Sequence, residues 1–81
     1  MKRTFNFTFD SGEVLTLGAP KLKRYNNLLA ADNDSQIIVA VADIIGKDVD
    51  YVLENFTTDD IRRFINDFPA WVQGVKESDP N

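Results

Sequence analysis

The chain has 81 residues, which is enough for one small core and too few for a deep pocket with supporting walls. It is 43 % hydrophobic and 27 % charged with a formal net charge of −4, an ordinary globular balance that excludes a disordered chain. It contains no cysteine and no histidine; disulfides, thiolate nucleophiles and zinc–sulfur sites are excluded, and the commonest general base and metal ligand are missing.

A small extracellular domain more often carries disulfide staples, so the composition favours the cytoplasm. The start, "MKRTFNFTFD", alternates apolar with polar residues and lacks the continuous apolar run of a signal peptide. The most apolar run, "IIVAVADIIG", is about half a membrane span and includes Asp43, so no membrane is expected. Charge is uneven: residues 1–24 hold five bases (Lys2, Arg3, Lys21, Lys23, Arg24) against two acids, and residues 25–81 hold four against eleven. This asymmetry reads either as solubility or as head-to-tail self-association.

In chain order, residues 3–9 ("RTFNFTF") alternate strictly, placing Phe5, Phe7 and Phe9 on one face of a strand. "DSGE" supplies a turn and "VLTL" a second strand, making a hairpin over residues 3–17. A three-residue loop, Asp10-Ser11-Gly12, opposes Phe7 with Leu15 and Phe5 with Leu17, with Gly12 in the left-handed position. A two-residue loop would set Phe7 against Thr16 and spoil the apolar face. A lone hairpin is marginal, so its Phe face must cover something, while its open edge offers self-association through Phe5, Phe7 and Phe9.

Residues 20–75 read as a helical bundle, and residues 76–81 as a frayed tail. Pro20 suits the first turn of a helix whose apolar positions are Leu22, Tyr25, Leu28 and Leu29. "DNDS" breaks that helix, and Asp34 or Ser35 caps the next. The second helix carries Ile37, Ile38, Val41, Ile44 and Ile45 on a broad face beside Ala40 and Ala42, which places it centrally, with Gly46 as its stop. A short third helix turns Val49, Val52 and Leu53 inward. The last starts at Thr57, with Asp60 three residues on in a relative of the capping box. Its stripe is Ile61, Phe64, Ile65, Phe68 and Val72, widened by Trp71 and Val75. Pro69 lacks an amide hydrogen, so a kink or break is expected near Phe68. The expected fold is therefore α+β, mostly α: one domain over residues 1–81, with an N-terminal hairpin packed on three to four helices.

No catalytic constellation emerges. Ser11, Ser35 and Ser78 fall in a turn, a cap and the tail without a base to activate them. Asp59 and Asp60 read as exposed first-turn residues that suit the helix dipole. "DNDSQ" resembles a calcium loop only at Asp32 and Asp34; Ile37 stands where glycine is required. The four glycines are isolated, so there is no phosphate loop. No enzyme, cofactor or metal is expected. "KLKR", Lys21 to Arg24, offers a small basic cluster, too small in an acidic chain to favour nucleic acid. Surfaces remain. Phe68, Trp71, Val72 and Val75, around and after the proline, are the candidate partner contacts, and Lys21, Lys23 and Arg24 join the hairpin Phe residues as candidates for self-association.

The series "LTLGAPKLKRYNNLLA", an apolar Ile/Val/Ala helix ending in glycine, and "DVDYVLENFTTDDIRRFINDFPAWVQG" cover about residues 14–75. Together they resemble the tail assembly chaperones of long-tailed phages, through the acidic helical chain, the LTxxD-like "FTTDD" and the Trp-bearing last helix. The Phe-rich hairpin is not part of that pattern. The resemblance implies a non-enzymatic protein of the bacterial host cytoplasm. It would bind the tape measure protein, keep that apolar helical rod soluble, and be shed as tail tube protein polymerises. It also implies weak self-association and, in some members, a longer frameshifted form. It places no binding residues. Two other readings stand beside it: a structural virion or head–tail joining protein that polymerises through the hairpin edge, and a small nucleic-acid-binding regulator using "KLKR".

Overall fold

A computed structural model describes residues 3–74. It has an antiparallel hairpin, β1 (Phe5–Thr8) and β2 (Val14–Leu17), followed by four helices, α1 (Leu22–Ala30), α2 (Asp34–Ile45), α3 (Val49–Asn55) and α4 (Thr58–Gln73). This is an α+β fold, mostly α. The chain divides into two compact units, one of Met1–Ala19 with Phe56–Asn81, the other of Pro20–Asn55.

In the first unit the hairpin takes the expected register, Phe5 opposite Leu17 and Phe7 opposite Leu15. The loop is the three-residue one. Phe9 N–H donates to the Glu13 carbonyl at 2.8 Å, and Gly12 closes the turn onto Phe9 with φ 99°, a conformation that strains any residue with a Cβ. On the outer face, Thr16 Oγ1 donates to Asn6 Oδ1 at 2.8 Å, a cross-strand polar pair. The inner face lies on α4. Phe5 meets Phe68 edge-on at 5.3 Å, Phe7 meets Phe64 at 5.4 Å, and Phe56 closes on Phe9 at 4.9 Å. Phe64 and Phe68 stack at 5.1 Å, both with no exposed surface.

Helix α4 opens with a complete capping box. The Thr57 side chain accepts from Asp60 N–H, and the Asp60 carboxylate accepts from Thr57 N–H. It closes at Gly74 in the left-handed conformation, φ 74°. The break expected near Phe68 does not occur, because α4 runs through Pro69 to Gln73. A proline in a helix interior costs about 3 kcal/mol. Losing either buried ring beside it, Phe68 or Trp71, would cost about 3–5 kcal/mol. Both rings contact Phe5, so packing holds the helix together across the proline.

In the second unit α2 packs against both α1 and α3, the central place its apolar character predicts. Ala40, Val41, Ala42 and Ile45 are buried, and Ile37, Ile38 and Ile44 are half-buried. Its cap is Asn33, one residue before the expected pair. Asn33 Oδ1 accepts from Gln36 N–H at 3.0 Å, while Gln36 Oε1 accepts from Asp32 N–H at 2.7 Å. Together these satisfy the "DNDS" turn as a helix junction. Gly46, φ 75°, ends α2 as expected.

Two expectations fail in this unit. Pro20 lies ahead of the cap residue Lys21 instead of in the first turn, and Lys21 makes no side-chain cap hydrogen bond. The apolar faces of α1 and α3 are only partly covered. Tyr25 and Leu28 are buried, but Leu22 and Leu29 are not; Val52 is buried, but Val49 and Leu53 are not. Short helices packed on one neighbour can cover only a narrow stripe each, and both sequences carry a wider one.

Candidate protein-interaction surface

The residues singled out in the sequence divide by unit. Phe7 and Phe9 are buried and Phe5 half-buried. Phe5 and Phe7 pack on Phe64 and Phe68 of α4 and Phe9 packs on Phe56, so this face is occupied within the unit. Phe68 is fully buried. Trp71 is 9 % exposed, stacked on Phe68 at 5.7 Å and covered by the Arg3 guanidinium at 4.7 Å from the ring centroid. Arg3 also donates to the Trp71 carbonyl. Helix α4 continues through Pro69 and carries Trp71 onto the buried face beside Phe68. Trp71 is core, and it has no ring face to offer a partner. Val72 is half-buried on the same helix, and Val75 lies outside the described residues.

The first unit also holds a polar cluster that the sequence under-read. Asp60, expected to be an exposed dipole partner, is 1 % exposed. Its Oδ1 accepts from Asp10 N–H at 2.9 Å and from Arg63 Nη2 at 2.5 Å, and its Oδ2 accepts from Thr57 N–H at 3.0 Å. Arg63 continues to the Thr8 carbonyl at 2.9 Å and to Asp10 Oδ1 at 3.2 Å, and Thr57 Oγ1 donates to Asp10 Oδ2 at 2.9 Å. Burial alone would raise the Asp60 carboxyl. The amides of Thr57 and Asp10, the Thr57 side chain and the Arg63 charge outweigh it and hold the group below its ordinary value. Every lone pair of interest is committed to tying the hairpin turn to the start of α4, which makes this a structural clasp. Its neighbour Asp59 stays exposed, 3.7 Å from Arg62. No group of three or more Asp or Glu side chains among the described residues is placed to hold a metal ion.

The second unit presents unpartnered apolar surface. Leu22 (73 % exposed), Leu29, Val39, Val49 and Leu53 all point outward. Val39 is the informative one, because α2 is otherwise apolar and buried around most of its girth. Its one exposed stripe, Ser35, Gln36, Val39 and Asp43, faces a groove shared with Asn27, Ala30 and Ala31 of α1 and its C-terminus. The groove has a volume of about 460 Å³. It is lined by Ala30, Ala31, Val39 and Ala40 together with Asn27, Ser35, Gln36 and Asp43. The small alanine side chains leave room for a bulkier apolar group, and the polar side chains offer hydrogen-bond partners. A cleft lined by both kinds of side chain suits an amphipathic helix.

Lys21, Lys23 and Arg24 are exposed at the start of α1, in the same unit. The signal for the groove was present in the sequence as "AA" at residues 30–31 and as Val39, the apolar residue off the main face of α2. Alanine there is indistinguishable from ordinary helix filling until the neighbouring helix is placed. No helix among the described residues is long and apolar enough to cross a membrane. No family model, curated protein or solved structure matches the chain.

Proposed function

We propose that this protein is a non-enzymatic chaperone that seats an apolar helix of a client in the α1–α2 groove, and that the client is the tape measure protein of a long-tailed phage. The observation that carries the reading is the groove itself, a cleft lined by Val39 and three alanines together with four polar side chains, with Val39 more than half exposed. A tape measure protein is a long rod of amphipathic helix whose apolar stripe aggregates when unmasked, and such a groove buries short stretches of that stripe. The resemblance over about residues 14–75 supports the choice of client, and the open α1–α2 groove supports a helix-in-groove mode. The candidate contacts thereby move from the last helix to α1 and α2.

Co-expression with a tape measure protein of a long-tailed phage tests the reading. The expected result is a soluble, co-purifying complex that Val39→Asp abolishes while the circular dichroism and melting of the free protein stay unchanged. A client that stays insoluble, or a complex indifferent to Val39→Asp, refutes it. Among the described residues no third strand pairs with the two-stranded sheet, which supports a second reading, a structural virion component that adds strands at the hairpin. Mass spectrometry of purified particles separates the two, since a chaperone is shed and a structural component retained.

A further inference from the structure

We infer that Asp43 makes the α1–α2 groove selective for a client helix that carries a lysine or arginine one turn from its seated apolar side chain. The inference rests on the chaperone reading above and adds the residue pattern the client must have. Along α2 the lining runs from Ser35 through Gln36, Val39 and Ala40 to Asp43, about 12 Å at the rise of an α-helix. The groove therefore takes about two turns of a client helix, with one bulky apolar side chain beside Val39 and the alanines. Its polar lining is not uniform. Asp43 is the only charged residue among those that line it, and it stands at one end of the α2 stripe.

That carboxylate is exposed, and among the described residues it makes no ion pair and no side-chain hydrogen bond. Two bases lie one turn from lining residues in sequence, and neither neutralises it. Lys47, four residues beyond Asp43, lies over the Tyr51 ring at 5.3 Å. Arg24, three residues before Asn27 on α1, forms no ion pair with Asp43. At the opposite end Gln36 is already engaged, its Oε1 accepting from Asp32 N–H at 2.7 Å. A client therefore meets an unmatched negative charge at one end only. Val39 and Asp43 are four residues apart, one turn or about 6 Å along the same face. A client helix lying along α2 matches them when its apolar residue and its base are also four apart. A base there gains an ion pair, and an acid there meets like charge. The exposed pair adds little affinity, but its change of sign discriminates between clients.

Titration of the nitrogen-15-labelled full chain with three synthetic peptides, followed by amide chemical shifts, tests this. Each peptide is an alanine–glutamine helix of about 20 residues with a single central leucine. The residues four before and four after the leucine are both lysine, both glutamine or both glutamate, so either orientation presents one to Asp43. Shifts are expected at Ala30, Ala31, Val39 and Asp43. The lysine peptide should bind about two- to fivefold tighter than the glutamine peptide, and about tenfold tighter than the glutamate peptide, in low salt. Raising NaCl to about 500 mM should erase the preference. Asp43→Asn should reduce it to less than about twofold, and Asp43→Lys should invert the order of the lysine and glutamate peptides. Equal binding of all three peptides at the groove, or an order that survives Asp43→Asn, overturns the inference and leaves the chaperone reading in place. Peptides that move no amide of the groove overturn both.

Discussion

Asp60→Asn should remove a large share of this protein's stability, and the size follows from the geometry of the clasp. The carboxylate accepts two backbone amides and one guanidinium within 3.0 Å while 1 % exposed. Hydrogen bonds to a charged group contribute about 1.5–3 kcal/mol each in favourable cases. Breaking a fully buried ion pair by removing one partner costs about 3–5 kcal/mol. Arg63, however, is 41 % exposed at its side chain and keeps Asp10 and the Thr8 carbonyl as partners, which lowers that figure. An asparagine at this site preserves one acceptor oxygen but turns an NH₂ toward donors. The expected cost is therefore about 2–3 kcal/mol, against a total on the order of 5 kcal/mol for a chain of this size.

Urea unfolding followed by the fluorescence of Trp71, the single tryptophan, reads this directly, because Trp71 belongs to the same unit. With a slope near 1 kcal/mol per M for so small a protein, the midpoint should fall by about 2 M or more. The pH dependence has a fixed sign. The Asp60 carboxyl is held below its unfolded value, so its contribution is complete above about pH 4 and is lost as pH falls through the folded value. The difference in stability between wild type and Asp60→Asn should accordingly be flat from pH 5 to 8 and shrink below about pH 4. A midpoint shift under 0.5 M, or a difference that does not shrink in acid, would refute the clasp.

Pro69→Ala should restore a backbone rung in α4 without disturbing the rings on either side. It should stabilise the protein by about 1 kcal/mol, raising the melting temperature by roughly 4–8 °C in a calorimetric scan. Gly12→Ala meets open space but a backbone at φ 99°, so it should destabilise by about 1–2 kcal/mol, read in the same urea titration. Trp71→Ala should cost about 3–5 kcal/mol of folding stability, seen as a lowered melting temperature by circular dichroism. Under conditions where that variant remains folded, its binding to the client should be unchanged.

The hairpin was legible almost residue by residue. Its register depends on matching Phe7 to Leu15 and Phe5 to Leu17, and a period of two leaves one solution once the glycine position is fixed. The capping box at Thr57 and the stop at Gly46 were legible for a similar reason, since each rests on contacts no more than five residues apart. What failed was non-local. The fate of Pro69 depended on Phe5, more than sixty residues away in sequence, because local propensity opposes a helix there and long-range packing restores it. The burial of Asp60 depended on the amide of Asp10 in the hairpin turn, which no pattern within α4 announces.

The burial of Phe68 and Trp71 was missed for a different physical reason. Aromatic residues concentrate both in cores and in binding hot spots, so the type of a residue such as Trp71 does not decide between them; the amount of neighbouring surface does. Phe68 and Trp71 on α4 find the hairpin phenylalanines, and the most aromatic stretch of the chain is consumed internally. In the second unit, α1 and α3 each bring more apolar width than α2 can cover, and the surplus falls on aliphatic residues that attract no notice in a sequence. Leu22, Leu29 and Leu53 are ordinary members of amphipathic stripes until the stripe is compared with the width of the helix facing it. Against its one neighbour α1 buries Tyr25 and Leu28 and α3 buries Val52 alone, so the further apolar positions on these helices are left as open surface.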